Sequence, residues 1–128
     1  AARPIFVGDR IDTDIDGAAG LGMDSLLVFT GANGKRDLVA ARNRPTHIGW
    51  DLGALLMPAL SVEVDGRTAR CGETEVRRVG RRFEVADGLA DRMGQLRTLR
   101  ALLALVEPGS DPDEPGVSEL LSELTLIP

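Results

Sequence analysis

The sequence is short of the residues that most metal and redox sites need. A single cysteine, Cys71, cannot close an internal disulfide and excludes a four-cysteine zinc site. A single histidine, His47, excludes multi-histidine metal sites, and a Ser-His-Asp triad could be built only around it. Tyrosine is absent, and three phenylalanines and one tryptophan are the only aromatic side chains, so stacking platforms for bases are poorly supplied. No stretch approaches the roughly 18 consecutive apolar residues of a membrane span. The first residues lack a basic head followed by an apolar run, so no secretory signal is legible and a cytoplasmic location is expected.

Hydrophobic residues make up 43% and charged residues 27% of 128, a composition suited to a soluble globular fold of one domain, or one domain and a small piece. The net charge of -5 argues against a general nucleic-acid binder. That charge is uneven: residues 1–66 hold 6 basic and 9 acidic groups, residues 67–100 hold 9 and 5, and residues 107–128 hold 0 and 6. The arginine cluster at Arg77, Arg78, Arg81 and Arg82 is read as a solvated face that the acidic tail neutralises.

Apolar runs at Pro4–Val7 and Ser25–Phe29 predict buried strands, the second without polar alternation and hence covered on both faces. Between them Asp12 or Thr13 is expected to cap a helix that Gly22 closes. Thr30 to Gly34 reads as a loop, Lys35 to Ala41 as a short helix and Thr46 to Gly49 as a further extended piece. A helical turn follows at Asp51 to Leu56. This alternation implies a parallel sheet with crossover helices. Pro58 marks a change of character. Leu60–Val64 alternates with period two, Asp65-Gly66 signals a hairpin, and Thr68–Cys71 is its return. Glu75–Val85 is ambiguous. Leu89–Val106 carries a leucine stripe at helical spacing, read as core, and Val117–Leu126 a last amphipathic helix. His47 is read as structural and Cys71 as a small semi-buried side chain.

The densest chemical signal is Asp9, Asp12, Asp14 and Asp16. Carboxylates this close repel unless solvated, hydrogen-bonded or bound to a cation. Some can be capping or exposed groups with no further role. Asp12-Thr-Asp-Ile-Asp16-Gly17 also opens like a calcium loop, but Met23 stands where a bidentate glutamate is needed and the entering segment is strand-like. Asp14-Ile-Asp16-Gly17 has the look of an aspartyl-phosphatase nucleophile, but it follows a polar loop rather than a strand. The remaining reading places Asp9 just past a strand of an open parallel sheet, where ligands collect, with Asp14 in the first helical turn steadying the loop. Hard oxygens there suit Mg2+ shared with a substrate phosphate.

Gly8-Asp-Arg-Ile-Asp-Thr-Asp14-Ile-Asp-Gly17, Ala19–Gly31 and Arg44–Leu52 together resemble the carboxyl end of haloacid dehalogenase (HAD) phosphatases, in particular the NagD-like, type IIA branch of actinobacteria. The resemblance covers roughly residues 4–56. It implies that Asp9 coordinates Mg2+ and that Asp14 supports the metal loop. Asp12 and Asp16 are left as capping or solvated groups, and Arg10 as a loop side chain. The family's nucleophilic aspartate, its Ser/Thr and its lysine precede this motif, and the only lysine here, Lys35, follows it. The resemblance therefore implies the last part of a phosphatase, with no nucleophile of its own and no turnover alone. The expected fold is the α/β, Rossmann-like part of a HAD core over residues 1–57, followed by a small α+β extension over residues 58–128. That extension resembles a region appended in some actinobacterial members and related to acetyltransferase-like folds, but it carries no acyl-CoA-cradling glycine motif. The expected partner is a small phosphorylated metabolite of the sugar or glycerol phosphate class, with no nucleic acid and no membrane; a homo-oligomer is left open. The rival readings are a non-catalytic regulatory or oligomerisation module and a calcium-binding domain.

Overall fold

The computed structural model describes residues 4–30, 32–57 and 60–128. The expected change of character at Pro58 lies outside the described residues. Apolar runs near the start of the chain form a three-stranded parallel sheet of β1 (Ile5–Gly8), β2 (Asp24–Val28) and β3 (His47–Gly49), in that spatial order. β2 is central, and Ser25 to Val28 are all buried, as a strand covered on both faces requires. Among the described residues β1 pairs with β2 alone, so the expected buried strand is an edge strand there, with Phe6 40% exposed. β1 and β2 are joined by a π-helical turn, Ile11–Ile15, that runs into α1 (Asp16–Gly20). Neither Asp12 nor Thr13 caps it: Arg10 stands at the N-cap position and both residues lie inside the turn. Gly22, at φ +66°, turns the chain out of α1, as a helix-ending glycine should. α2 (Lys35–Ala40) joins β2 to β3, and a 3-10 turn, Leu52–Leu56, follows β3.

The second sheet is an antiparallel meander of β4 (Val62–Asp65), β5 (Thr68–Cys71), β6 (Thr74–Val79) and β7 (Arg82–Ala86). The hairpin expected at Asp65-Gly66 is present, and the ambiguous stretch resolves into β6 and β7 about a turn at Gly80. On its solvent face, register partners Arg70 and Glu75 pair at 3.0 Å, and Arg77 and Glu84 at 3.4 Å. Arg82 meets Glu119 of the acidic tail at 2.8 Å. Arg77, Arg81 and Arg82 are thus a solvated face, whereas Arg78 is half-buried, donates to Leu105 O at 2.8 Å and lies over the Phe83 ring; the exposed pairs each stabilise by about 0–1 kcal/mol.

On the other face lies α3 (Arg92–Leu105), which starts where the Asp91 carboxylate accepts the Gly94 N–H at 2.7 Å. Its leucine stripe, Leu96, Leu99, Leu102 and Leu103, is buried with Ala69, Cys71 and Val76 of the meander. The same apolar cluster contains Leu27, Phe29, Leu38, Val39 and Ile48, so both sheets share one core. α4 (Pro115–Glu123) adds Val117, Leu120 and Leu121.

Two cations tie the halves together. The half-buried Arg44 guanidinium donates to five carbonyls at the carboxyl ends of α2 and α3: Leu38 (3.2 Å), Val39 (3.1 Å), Leu103 (2.6 Å), Val106 (2.6 Å) and Glu107 (2.9 Å). Those carbonyls are the unpaired, electronegative ends of helices, where a cation is favoured. Lys35 Nζ donates to Leu124 O at 2.8 Å and Ile127 O at 2.7 Å, and burial pushes its pKa down.

Candidate metal centre

Gly8 is the last residue of β1, so Asp9 stands just beyond the carboxyl edge of the parallel sheet. In such sheets that edge is where ligands bind. The chain leaving β2 passes the same edge, and Thr30 Oγ1 donates to Asp9 Oδ2 at 3.1 Å. Asp9 is half-buried, with its carboxylate at the tip of the sheet.

Asp14 faces back toward this point. Its Oδ2 accepts the backbone N–H of Asp9 at 3.2 Å and of Arg10 at 3.3 Å. The helical turn makes this possible, because it carries Asp14 round over the end of β1, and Arg10 O in turn accepts the N–H of Asp14 and Ile15. Gly8 is required by the same geometry. A Cβ there would lie 2.3 Å from Asp14 Cβ and 2.4 Å from Asp14 Oδ2. The glycine thus makes room for a side chain of the protein itself rather than for a ligand. Ile11 and Ile15, both buried, anchor the turn in the core, and Ile11 N–H donates to Asn33 Oδ1 at 2.7 Å. Asp9 therefore projects from a loop braced by Asp14, by Asn33 and by two isoleucines.

The other two carboxylates turn elsewhere. Asp12 is exposed and pairs with Arg10 at 3.2 Å, which holds its carboxyl below the usual range. Asp16 accepts from Asn43 Nδ2 at 3.2 Å. The three oxygens of a calcium loop do not converge, because a helical turn fans successive side chains around its axis instead of folding them onto one ion. Among the described residues no three His, Cys, Asp or Glu side chains come together as a metal cage. Asp14 lies within a helical turn and not at a strand end, so the nucleophile-like Asp14-Ile-Asp16 spacing is coincidental. Residues 1–55 match the HAD-hydrolase-like family. This segment resembles that family.

The HAD-like segment has a relative in the D-glycerol 3-phosphate phosphatase of Mycobacterium tuberculosis (strain ATCC 25618 / H37Rv), 53% identical over 53 residues, which are 40% of this chain and 15% of that protein. Two solved structures extend the likeness to the whole chain. Both are of glycerol phosphate phosphatase Rv1692 from Mycobacterium tuberculosis. The magnesium complex has a TM-score of 0.63 at 30% identity, covering 98% of this chain and 38% of that one. The calcium complex has a TM-score of 0.64 at 27% identity, covering 98% and 39%. The chain thus spans well under half the length of these relatives.

Thr30 and Asn33 were not singled out in the sequence. The signal was the position of their loop: two adjacent parallel strands end at one edge, so the loop after β2 must flank the loop after β1. His47 is half-buried in β3 and Cys71 fully buried in β5, elements other than the loop that carries Asp9. Burial pushes the Cys71 thiol up, partly offset by Arg100 and Arg97. No helix among the described residues is long and apolar enough to cross a membrane.

Proposed function

We propose that the HAD-like segment supplies the metal-binding end of a Mg2+-dependent phosphomonoesterase, with Asp9 as a ligand to the ion and Asp14 as the group that fixes its loop. The observation carrying this reading is the division of labour at the sheet tip: one carboxylate is spent on backbone N–H groups, while its neighbour takes, among the described residues, a hydroxyl donor alone. Mg2+ fits that donor set. It is a hard ion that keeps several waters and is typically held by one or two carboxylates together with substrate phosphate oxygens. When bound, it would supply positive charge against a phosphoester. Asp9 would orient the ion, Thr30 would fix the rotamer of Asp9, and Asp14 would hold the Asp9 backbone in place.

The substrate we propose is a small phosphomonoester of the glycerol phosphate class, in line with the names of the relatives, and the branch we propose is the NagD-like one. Asp24 opens β2 at the end of the sheet far from Asp9 and Asp65 closes β4 at a hairpin, so neither is placed to attack a phosphate held at Asp9, and we assign turnover to a longer protein containing this segment. We also propose that residues 1–57 are the carboxyl part of the core and residues 58–128 an extension. The test is hydrolysis of glycerol phosphate by such a protein with and without Mg2+. Asp9→Asn should abolish Mg2+-dependent turnover with the fold intact, while Asp12→Asn should leave it. Full activity in Asp9→Asn would remove the metal role.

A further inference from the structure

A cavity lies away from Asp9. It holds about 590 Å3, within the range of small-molecule sites. Its walls come from both halves of the chain: β3 and the turn after it on one side, α3 on the other. Asp9, Asp14, Thr30 and Asn33 take no part in lining it. The floor is apolar, built from Leu26, Ile48 and Leu96, all buried.

Its polar groups are mostly donors. The Arg92 guanidinium lies 4.3 Å from the centroid of the Trp50 ring, flat cation against π face. Arg100 projects from α3, with Nη2 on Leu60 O at 3.0 Å. Neither arginine has a carboxylate partner among the described residues. Arg100 Nε and Trp50 Nε1 are buried donors that find no acceptor among the described residues, so the cavity wall carries unspent donor capacity beneath its surface. The carboxylates that line the cavity are engaged elsewhere: Asp51 Oδ1 accepts the Gly53 N–H at 2.7 Å, and Asp24 has an interaction of its own.

We propose that this cavity binds a small amphipathic anion, an oxyanion head on a short apolar body, with Arg92 and Arg100 taking the head and Trp50 and the apolar floor taking the body. Planar guanidinium groups match carboxylate and phosphate oxygens in two-point geometry, and apolar walls with few convergent polar groups are the usual build of such a site. A ligand there would touch the HAD-like segment through Trp50 and the extension through α3. It would bind the folded arrangement of both and so stabilise it.

The chain offers its own reporter. Trp50 is its only tryptophan and tyrosine is absent, so indole emission reads this cavity alone. Hexanoate, hexyl phosphate and hexanol are titrated into the 128-residue chain. The expected result is a saturable change in Trp50 emission with at least one of the two anions, and no saturation with hexanol over the same range. Whichever anion binds more tightly identifies the head group as carboxylate or phosphate; equal binding points to the shared oxyanion. Arg100→Met should weaken binding at least tenfold. Because Arg100 is largely buried and its variant could fail to fold, Arg92→Gln at the exposed rim gives a second reading, with a loss of severalfold. No response to either anion at millimolar concentration, hexanol matching the anions, or unchanged binding in the folded arginine variants would each overturn the proposal.

Discussion

Substituting Gly8 by alanine tests the architecture of the metal loop with a single methyl group. Gly8 is not among the glycines with positive φ, so its backbone would accept alanine without conformational strain. What stands in the way is Asp14. The added Cβ would meet Asp14 Cβ at 2.3 Å, Oδ2 at 2.4 Å and Cγ at 2.5 Å, distances at which something must move. Overpacking of this kind costs about 1–3 kcal/mol. Moving Asp14 also strips its carboxylate from the N–H groups of Asp9 and Arg10, each bond contributing about 1 kcal/mol net. The sum is about 3–5 kcal/mol, which lowers a urea midpoint by on the order of 2 M at a denaturant slope of about 2 kcal/mol per M. Urea unfolding of the wild-type chain and of Gly8→Ala measures it directly, and the Asp9 and Arg10 amide resonances should shift most. The nearest contact is with a β-carbon, so shortening Asp14 to alanine should not rescue Gly8→Ala. A Gly8→Ala chain with an unchanged midpoint and unmoved Asp9 and Arg10 amides would refute the reasoning.

Three further outcomes follow from the packing. Arg44→Met removes all five carbonyl contacts between α2 and α3 while keeping an apolar stem, and should cost about 2–4 kcal/mol in chemical denaturation, since hydrogen bonds to charged groups contribute more than neutral ones. Gly116→Ala places a Cβ 1.8 Å from Arg81 O in the turn between β6 and β7, so it should shift α4 and lower the melting temperature by several degrees. Cys71 is fully buried with its thiol pKa raised, so a thiol reagent should modify it only on unfolding. The sign of its pH effect follows: above the ordinary thiol pKa the unfolded chain ionises first, so this group's contribution to stability falls as pH rises through that window.

The parallel sheet was legible because its strands are unbroken apolar runs and because proline and glycine punctuate them. The meander was half legible: Asp65-Gly66 announces one hairpin, whereas β6 and β7 carry so many exposed arginines and glutamates that their alternation is hidden until Arg77 is seen opposite Glu84. The edge position of β1 was not legible, since an apolar run does not report how many neighbours it has. Asp9 could be placed at the sheet tip from Val7-Gly8 alone. The need for glycine at position 8 was not legible, because the π-helical turn that swings Asp14 onto it has no sequence signature. Arg44 went unnoticed for a similar reason: its five acceptors are backbone carbonyls 5–63 residues away, and backbone carbonyls leave no trace in residue identity.

Mn2+ in place of Mg2+ reads the proposed site without requiring turnover. Added to the isotopically labelled chain, it should broaden amide resonances around Gly8, Asp9 and Thr30 first, and that pattern should vanish in Asp9→Asn yet persist in Asp12→Asn and Asp16→Asn. Broadening centred on Asp12 and Asp16, or unchanged in Asp9→Asn, would mean that the ion gathers on a solvated acidic surface and that Asp9 holds no metal.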